Sequence, residues 1–244
     1  MNNAFSTIRY KRTREVGTLT LARPRKRNAQ NPRMWQELAQ LGAELVTDET
    51  LRCLVVAGDG PTFSAGIDLV EGMGELADAV GRSDEEAMRA VGRSAVRAVG
   101  WIPDLGCASV AAVHGHAYGA GLQLALACDF RIFADGTRVG LVETRYGILP
   151  DMGATVRLPR IVGERWAREL ILLGEVIDAT EALRIGLANR VVAAEELGAA
   201  AAELAERLAA QPPIAVRGAR RAIDAAWHED SETSSRLALE EQAR

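Results

Sequence analysis

Apolar positions along this chain fall into short continuous runs and into stripes at helical spacing. Val16–Leu21 (VGTLTL), residues 51–57 (LRCLVVA), Ala108–Val113 (ASVAAV) and Phe130–Ala134 read as strands. Arg23-Pro24 stops the first, and Gly58-Asp59-Gly60-Pro61 breaks the second. Asn31-Pro32 reads as a helix start, with Asn as cap and Pro at the first helical position. Met34, Leu38, Leu41 and Leu45 then line one apolar face. Residues 70–100 are charged and glycine-dotted, with helical character between 84 and 99, and residues 119–128 read as a short apolar helix. Beyond about residue 160 the pattern is helical: residues 164–173, 179–185, 195–210 and 214–227, with alanines at 199–202. Strands that alternate with helices predict an α/β layer architecture, followed by an Ala-rich helical arm. That arm could be a lid, a packing arm or an oligomer contact.

Composition narrows the setting. The 244 residues are 48% hydrophobic, enough for one large domain or one domain plus a helical tail. A formal charge of -4 gives no global attraction to nucleic acid or to an anionic membrane. Cys53, Cys107 and Cys128 each lie in an apolar run and form no CxxC, which predicts buried thiols in a reducing compartment. Residues 1–14 are polar and basic, unlike a secretory signal, and no apolar run reaches the ~20 residues of a membrane span. The expected location is the cytoplasm.

Two glycine-bearing turns stand out. Residues 63–68 (FSAGID) and 114–123 (HGHAYGAGLQ) each follow a strand-like run and precede a helix-like one. Such turns leave backbone N–H groups unpaired, with a helix dipole behind them. Two that converge could form an oxyanion hole, although glycines also serve plain tight turns. Three acids invite attention. Asp129 follows the short helix and fits a buried hydrogen-bonding role. Glu143 sits among apolar residues, where burial raises a carboxyl pKa and suits proton transfer. Asp151 lies eight positions on, across the Gly147 bend, so the two could face one cavity, though Asp151 could also only start a turn. His114 and His116 lack the further ligands of a metal site and fit backbone-turn or core roles, while His228 belongs to an exposed charged tail. Ser64 lacks a GxSxG elbow, and neither a GxxxxGK[ST] loop nor GxGxxG spacing is present.

Together these segments resemble the crotonase, or enoyl-CoA hydratase/isomerase, superfamily. Arg23-Pro24 with Arg27-Asn28-Ala29 is similar to its RP…NAL segment, and residues 63–69 to its F-x-x-G-x-D-L loop. Residues 115–121 are similar to its G-x-A-x-G-x-G turn, Cys128-Asp129 to its CD pair, and residues 143–150 to its E-x-x-x-G-x-x-P run. Residues 158–163 and 182–188 resemble its later LPR-x-x-G and A-x-x-x-G-L-x segments. The resemblance implies a spiral of ββα units over residues 1–193 and a C-terminal helical region over 194–244 that serves as oligomer contact or lid. It implies homotrimers or dimers of trimers and an acyl-CoA substrate, coenzyme A being part of the substrate and no cofactor or metal being needed. It places the oxyanion N–H groups on Ile67 and Ala120. Arg25, Arg27 and Ala29 would bind CoA together with Ala65, Gly66, Asp68 and Gly119, and the cations suit a 3′-phosphate.

Three departures bear on function. Hydratases of the family carry carboxylates at the positions of Gln123 and Glu143, and an amide at Gln123 can orient water but cannot take up a proton. A lone Glu143 is similar to the family's enoyl-CoA isomerases, and Asp151 matches a position that is acidic in some isomerase branches, including dienoyl-CoA isomerases. The strand before the second turn begins Gly106-Cys107-Ala108 where many members have Lys-Pro, and the chain stops at Arg244, before a final segment that often helps close the CoA site. The expectation is a double-bond isomerase with Glu143 as acid/base, Asp151 as second proton carrier and Gln123 beside them. A 2-enoyl-CoA hydratase of fatty-acid β-oxidation and a non-catalytic acyl-CoA binder stand as alternatives, with acyl-CoA hydrolysis or decarboxylation as further ones.

Overall fold

A computed structural model describes residues 5–227 and 229–243, leaving His228 outside the described residues. The chain opens with β1 (Ile8–Thr13) and β2 (Val16–Leu21), followed by α1 (Pro32–Leu45) and β3 (Cys53–Gly58). Helices α2 (Glu71–Gly81) and α3 (Glu85–Gly100) precede β4 (Ala108–Val113), β5 (His116–Tyr118) and α4 (Ala120–Leu126). Then come β6 (Phe130–Ala134), β7 (Arg138–Gly140), α5 (Ala154–Leu172), β8 (Val176–Asp178), α6 (Ala179–Arg184) and β9 (Arg190–Val192). Helices α7 (Leu197–Ala209), α8 (Pro213–Ala225) and α9 (Ser231–Gln242) end the chain.

The large sheet has the order β1-β2-β3-β4-β6-β9, parallel from β2 onward, and a second sheet runs β5-β7-β8. The chain visits the two in turn. After β3, Ser64 bridges Ala117 of β5; after β4 comes β5; after β6 comes β7, parallel to β5. Each turn thus adds one strand to each wall, which is the expected spiral. Apolar runs legible in the sequence become the central strands because they are buried on both faces: all of β4 is buried.

Several elements depart from expectation. β1 was not predicted, because of its six residues only Ile8 is buried and Arg9, Lys11 and Thr13 alternate away from the core. That is the charged edge-strand pattern. α5 begins ten residues before the expected 164, with Pro159 inside it, and breaks at Gly163, whose φ of 80° is non-helical. The tail also differs. The Ala-rich α7 lays Leu197, Ala201, Leu204, Ala205 and Ala209 on Cys53, Val55, Val110, Ala112, Ile132 and Ala134 of the large sheet. Its apolar face is therefore satisfied within the chain, which makes α7 a packing arm of the three roles open to it. α7 belongs to the core layers, so the expected 194–244 region divides. α8 and α9 pack chiefly on each other, with Ile214, Ile223, Trp227 and Leu239 exposed.

Asp129 anchors α8. It accepts from Ser109 N and Oγ at 2.7 and 2.8 Å and pairs with Arg220 at 3.0 Å. Gly106 faces Arg217 of α8, whose guanidinium would lie 3.3–3.5 Å from a Cβ at 106. All three cysteines are free and buried, and burial pushes the Cys107 and Cys128 thiols up to about 12. No described helix is long and apolar enough to cross a membrane.

Candidate active site

The two glycine turns meet. Residues 27–30 run parallel to 65–68: Arg27 C=O accepts from Ala65 N–H, Gln30 N–H donates to Gly66 C=O, and Gln30 C=O accepts from Asp68 N–H. This pairing uses the groups on either side of Ile67 and leaves the Ile67 N–H pointing away from it. Neither that N–H nor the Ala120 N–H donates a backbone hydrogen bond among the described residues. Two glycines permit the approach. Gly66 has φ +94°, and a Cβ there would come within 2.7 Å of Tyr118 O and 3.7 Å of Ala120 N. Gly119, at φ 48° and ψ -121°, occupies a region closed to side-chain-bearing residues. A Cβ on it would lie 3.2 Å from Glu143 Oε1.

Ile67, Gly119, Ala120, Gln123, Glu143 and Asp151 line one cavity of about 430 Å³, with Ala65 and Gly66 at its wall. Most of the remaining lining is apolar, including Trp35 of α1, Met73 of α2, Met88, Val91 and Ala95 of α3, and residues of the 146–152 segment, with Tyr118 and Tyr146 also on it. Glu143 enters on a short 3-10 turn, Glu143–Tyr146, ended by Gly147 in the left-handed region. Its carboxyl is buried, and Oε1 accepts from Gln123 Nε2 at 2.8 Å, whereas Oε2 has no partner. Burial raises its pKa, and the Asp151 charge raises it further. Gln123 is held at both ends, since its Oε1 accepts from Ala154 N–H at 3.3 Å. Asp151 keeps much of its surface exposed at the cavity edge, but its carboxyl faces Gly92 of α3 and burial raises its pKa too. Such an arrangement can polarise a carbonyl with two N–H groups and exchange a proton at the carbon beside it.

The remaining expected residues lie outside the cavity wall. Arg25 and Arg27, with Lys26 between them, are exposed on the turn that leads to residue 29, and among the described residues none of them pairs with a carboxylate. Asp68 points elsewhere: it accepts from Val70 N–H and Glu71 N–H at the start of α2, both at 3.1 Å, and pairs with Arg23 at 3.0 Å. Burial alone would raise its pKa, but those N–H groups and Arg23 outweigh it and hold it down. His114 Nε2 meets Gly60 O, and the His116 N–H donates to Thr62 Oγ1, as turn histidines do. No group of three or more His, Cys, Asp or Glu among the described residues is arranged to hold a metal.

Sequence reasoning missed the supporting residues. Gln30 Nε2 donates to Ala120 O at 3.1 Å while its Oε1 accepts from Trp35 Nε1 at 3.0 Å. Buried Asn28 ties Arg23 N–H to the carbonyls of Asp59 and Thr62. Ser64 Oγ donates to Asn28 O, which gives that serine a structural task. Only the RP…NA segment hinted at any of them.

Known proteins place this geometry. The sequence model of the enoyl-CoA hydratase/isomerase family matches residues 11–243. YngF of Bacillus subtilis, named as a candidate enoyl-CoA hydratase/isomerase, is 37% identical over 93% of this chain and 84% of its own. The short-chain-enoyl-CoA hydratase of Clostridium acetobutylicum is 34% identical over 94% of this chain and 84% of its own. A Thermobifida fusca structure in complex with acetoacetyl-CoA, described as a candidate enoyl-CoA hydratase, is 37% identical with a TM-score of 0.88, covering 98% of this chain and 94% of that one.

Proposed function

The chain belongs to the enoyl-CoA hydratase/isomerase family, and on that premise we propose that it shifts the double bond of an enoyl-CoA thioester. The Ile67 and Ala120 N–H groups hold the thioester oxygen. Glu143 takes the proton from C2 of a 3-enoyl group, and the electron pair moves into the C1–C2 bond as the oxygen becomes an enolate. Return of a proton at C4 moves the double bond to C2–C3, with Glu143 or Asp151 as the donor. Each N–H contributes on the order of 3 kcal/mol to lowering the barrier. Arg25, Arg27 and the backbone near Ala29 and Ala65 take the CoA nucleotide.

One observation carries this reading. Glu143 lines the cavity with one carboxylate oxygen, the buried Oε2, left without a partner, and Ile67 and Ala120, whose N–H groups donate no backbone hydrogen bond among the described residues, line the same cavity. The neighbour that would be a second carboxylate in a hydratase is instead an amide bonded to Glu143. Hydration is the second reading, and the name of the Clostridium relative favours it. Turnover of a 3-enoyl-CoA and of crotonyl-CoA, side by side, decides. Rapid hydration of crotonyl-CoA without shift of the 3-enoyl bond replaces isomerisation with hydration. Tight acyl-CoA binding without either reaction identifies a non-catalytic binder. A homotrimer or dimer of trimers in the cytoplasm goes with this reading; the exposed apolar residues of α8 and α9 support self-association. A monomer by light scattering at micromolar concentration overturns that assembly.

A further inference from the structure

We propose that Arg23 is a positioning residue that transmits nucleotide binding to the oxyanion turn, so that the CoA nucleotide speeds the chemistry as well as anchoring the substrate. This rests on the acyl-CoA reading above. Arg23 stands at the start of the loop that carries Arg25, Lys26 and Arg27, and its guanidinium reaches three places. Nη1 donates to Ala29 O at 2.5 Å and to Asp68 Oδ2 at 3.0 Å, and Nη2 donates to Glu71 Oε1 at 2.8 Å. Asp68 follows Ile67 directly and accepts from Val70 N–H and Glu71 N–H at the start of α2. Glu71 accepts in addition from Nδ2 of Asn31, whose Oδ1 caps α1 by accepting from Met34 N–H. The loop is itself taut. Arg27 and Asn28 both have φ near +50° without being glycine, and Arg23 C=O accepts from both Lys26 N–H and Asn28 N–H.

Two links therefore join the cationic loop to the Ile67 N–H. One is the parallel backbone pairing of residues 27–30 with 65–68. The other is Arg23, which holds the far side of Ile67 through Asp68. Net stability is a poor explanation for the second. A mostly buried ion pair contributes little net free energy once desolvation is counted, whereas it does fix geometry. Arg23 leaves 12% of its side chain exposed and Asp68 8%. Geometry matters because a displacement of about 1 Å at a reacting centre can cost on the order of 100-fold in rate. Binding energy from a remote part of a substrate raises kcat only when it is spent on such positioning.

The test compares two thioesters of one enoyl acid: the CoA ester and the N-acetylcysteamine ester, which lacks the nucleotide. The wild type turns over the CoA ester with the higher kcat. Arg23→Gln lowers kcat for the CoA ester about tenfold and leaves kcat/KM for the short ester within about twofold. Glu71→Gln, which removes only the half-exposed arm, moves kcat the same way by less and keeps the melting temperature. Equal loss on both esters, a rise in KM alone for the CoA ester, or equal wild-type kcat on both overturns the proposal and leaves the acyl-CoA reading standing. A wild type inert toward both esters overturns the isomerase reading and this proposal with it.

Discussion

Two glutamates of this chain are almost equally covered from solvent and have opposite surroundings. Glu37 on α1 is 2% exposed and Glu143 6%. Around Glu37, Oε1 accepts from Ser6 N–H, Ser6 Oγ and Arg33 Nε, and Oε2 from Thr7 N–H and Thr7 Oγ1, at 2.6–2.9 Å. Burial alone would raise its pKa, but the Thr7 and Ser6 donors outweigh it and hold it down to about 2. Burial raises the Glu143 pKa, opposed only by its own backbone N–H and by one side-chain donor, the Gln123 amide. Both are covered from solvent, but Glu143 lies deeper among protein atoms, so depth of burial and donor count together separate them. A carboxylate with every lone pair engaged staples residues 6 and 7, which lead into β1, to α1. One that lines a cavity with an oxygen left without a partner is available for chemistry.

The sharpest way to break the comparison is Glu143→Gln. We expect turnover to fall by about 10²–10⁴, with acyl-CoA affinity within a few-fold and the melting temperature unchanged or slightly higher, since a poorly compensated buried carboxyl is gone. Steady-state kinetics and calorimetric titration check this. A Glu143→Gln enzyme of near-normal kcat would remove Glu143 from the chemistry.

Glu37→Gln should do the reverse. An amide cannot accept five donors, so the unfolding free energy drops by about 3 kcal/mol, while kcat per folded molecule holds. Denaturant unfolding beside active-site titration measures both. A stability loss under about 1 kcal/mol would mean that the staple is weak.

Their pH responses run in opposite directions. For Glu37 the folded pKa lies below the ordinary value of 4.5, so its stabilisation is complete above 4.5 and is lost as pH falls toward about 2. For Glu143 the folded pKa is raised, so its contribution to stability is present below 4.5 and is lost as pH rises through the raised value. As the base, Glu143 must be ionised, so kcat falls as pH drops through that same raised value. Unfolding and kcat profiles of wild type against the two glutamate-to-glutamine variants isolate each slope. A kcat limb at the ordinary carboxylate value would contradict the buried environment of Glu143.

The same contrast explains what the sequence could disclose. Glu143, Ile67 and Ala120 lie in glycine-marked segments between apolar runs, so local pattern and family resemblance reached them. Strands β2, β3 and β4, the start of α1 and the helix over 85–100 were legible because burial leaves its period in the residues themselves. Glu37 falls in α1 beside Leu38 and reads as an ordinary surface position; apart from Arg33 its donors, Ser6 and Thr7, are 31 and 30 positions away, just ahead of a strand whose charged pattern hid it. Arg23 reaches Asp68 and Glu71 across 45 and 48 positions, so the RP dipeptide advertised a stop and nothing more. Strands β5, β7, β8 and β9 have three residues each, too few for a period-2 pattern to show. The first half of α5 was hidden by Pro159, which local rules read as a helix stop.

The smallest expected effect concerns the one side-chain donor that Glu143 does have. Gln123 lowers the Glu143 pKa against burial by donating through Nε2, and its own orientation is set by Ala154 N–H at Oε1. Gln123→Leu removes that donor and leaves the Ala154 N–H without its acceptor. The acid limb of kcat should move to higher pH, and kcat at neutral pH should fall about tenfold, one hydrogen bond to a charged group. Gln123→Glu should move the limb further, because two carboxyls at hydrogen-bond distance share a proton and titrate as a pair. If the cavity admits a water between them, that variant should also hydrate a 2-enoyl-CoA faster than the wild type. The ordering of the three limbs is the decisive observation, with wild type lowest, Gln123→Leu above it and Gln123→Glu highest. A Gln123→Leu limb that stays in place or moves down would show that Gln123 does not tune Glu143, and the donor count would then drop out of the explanation of the difference between the two glutamates.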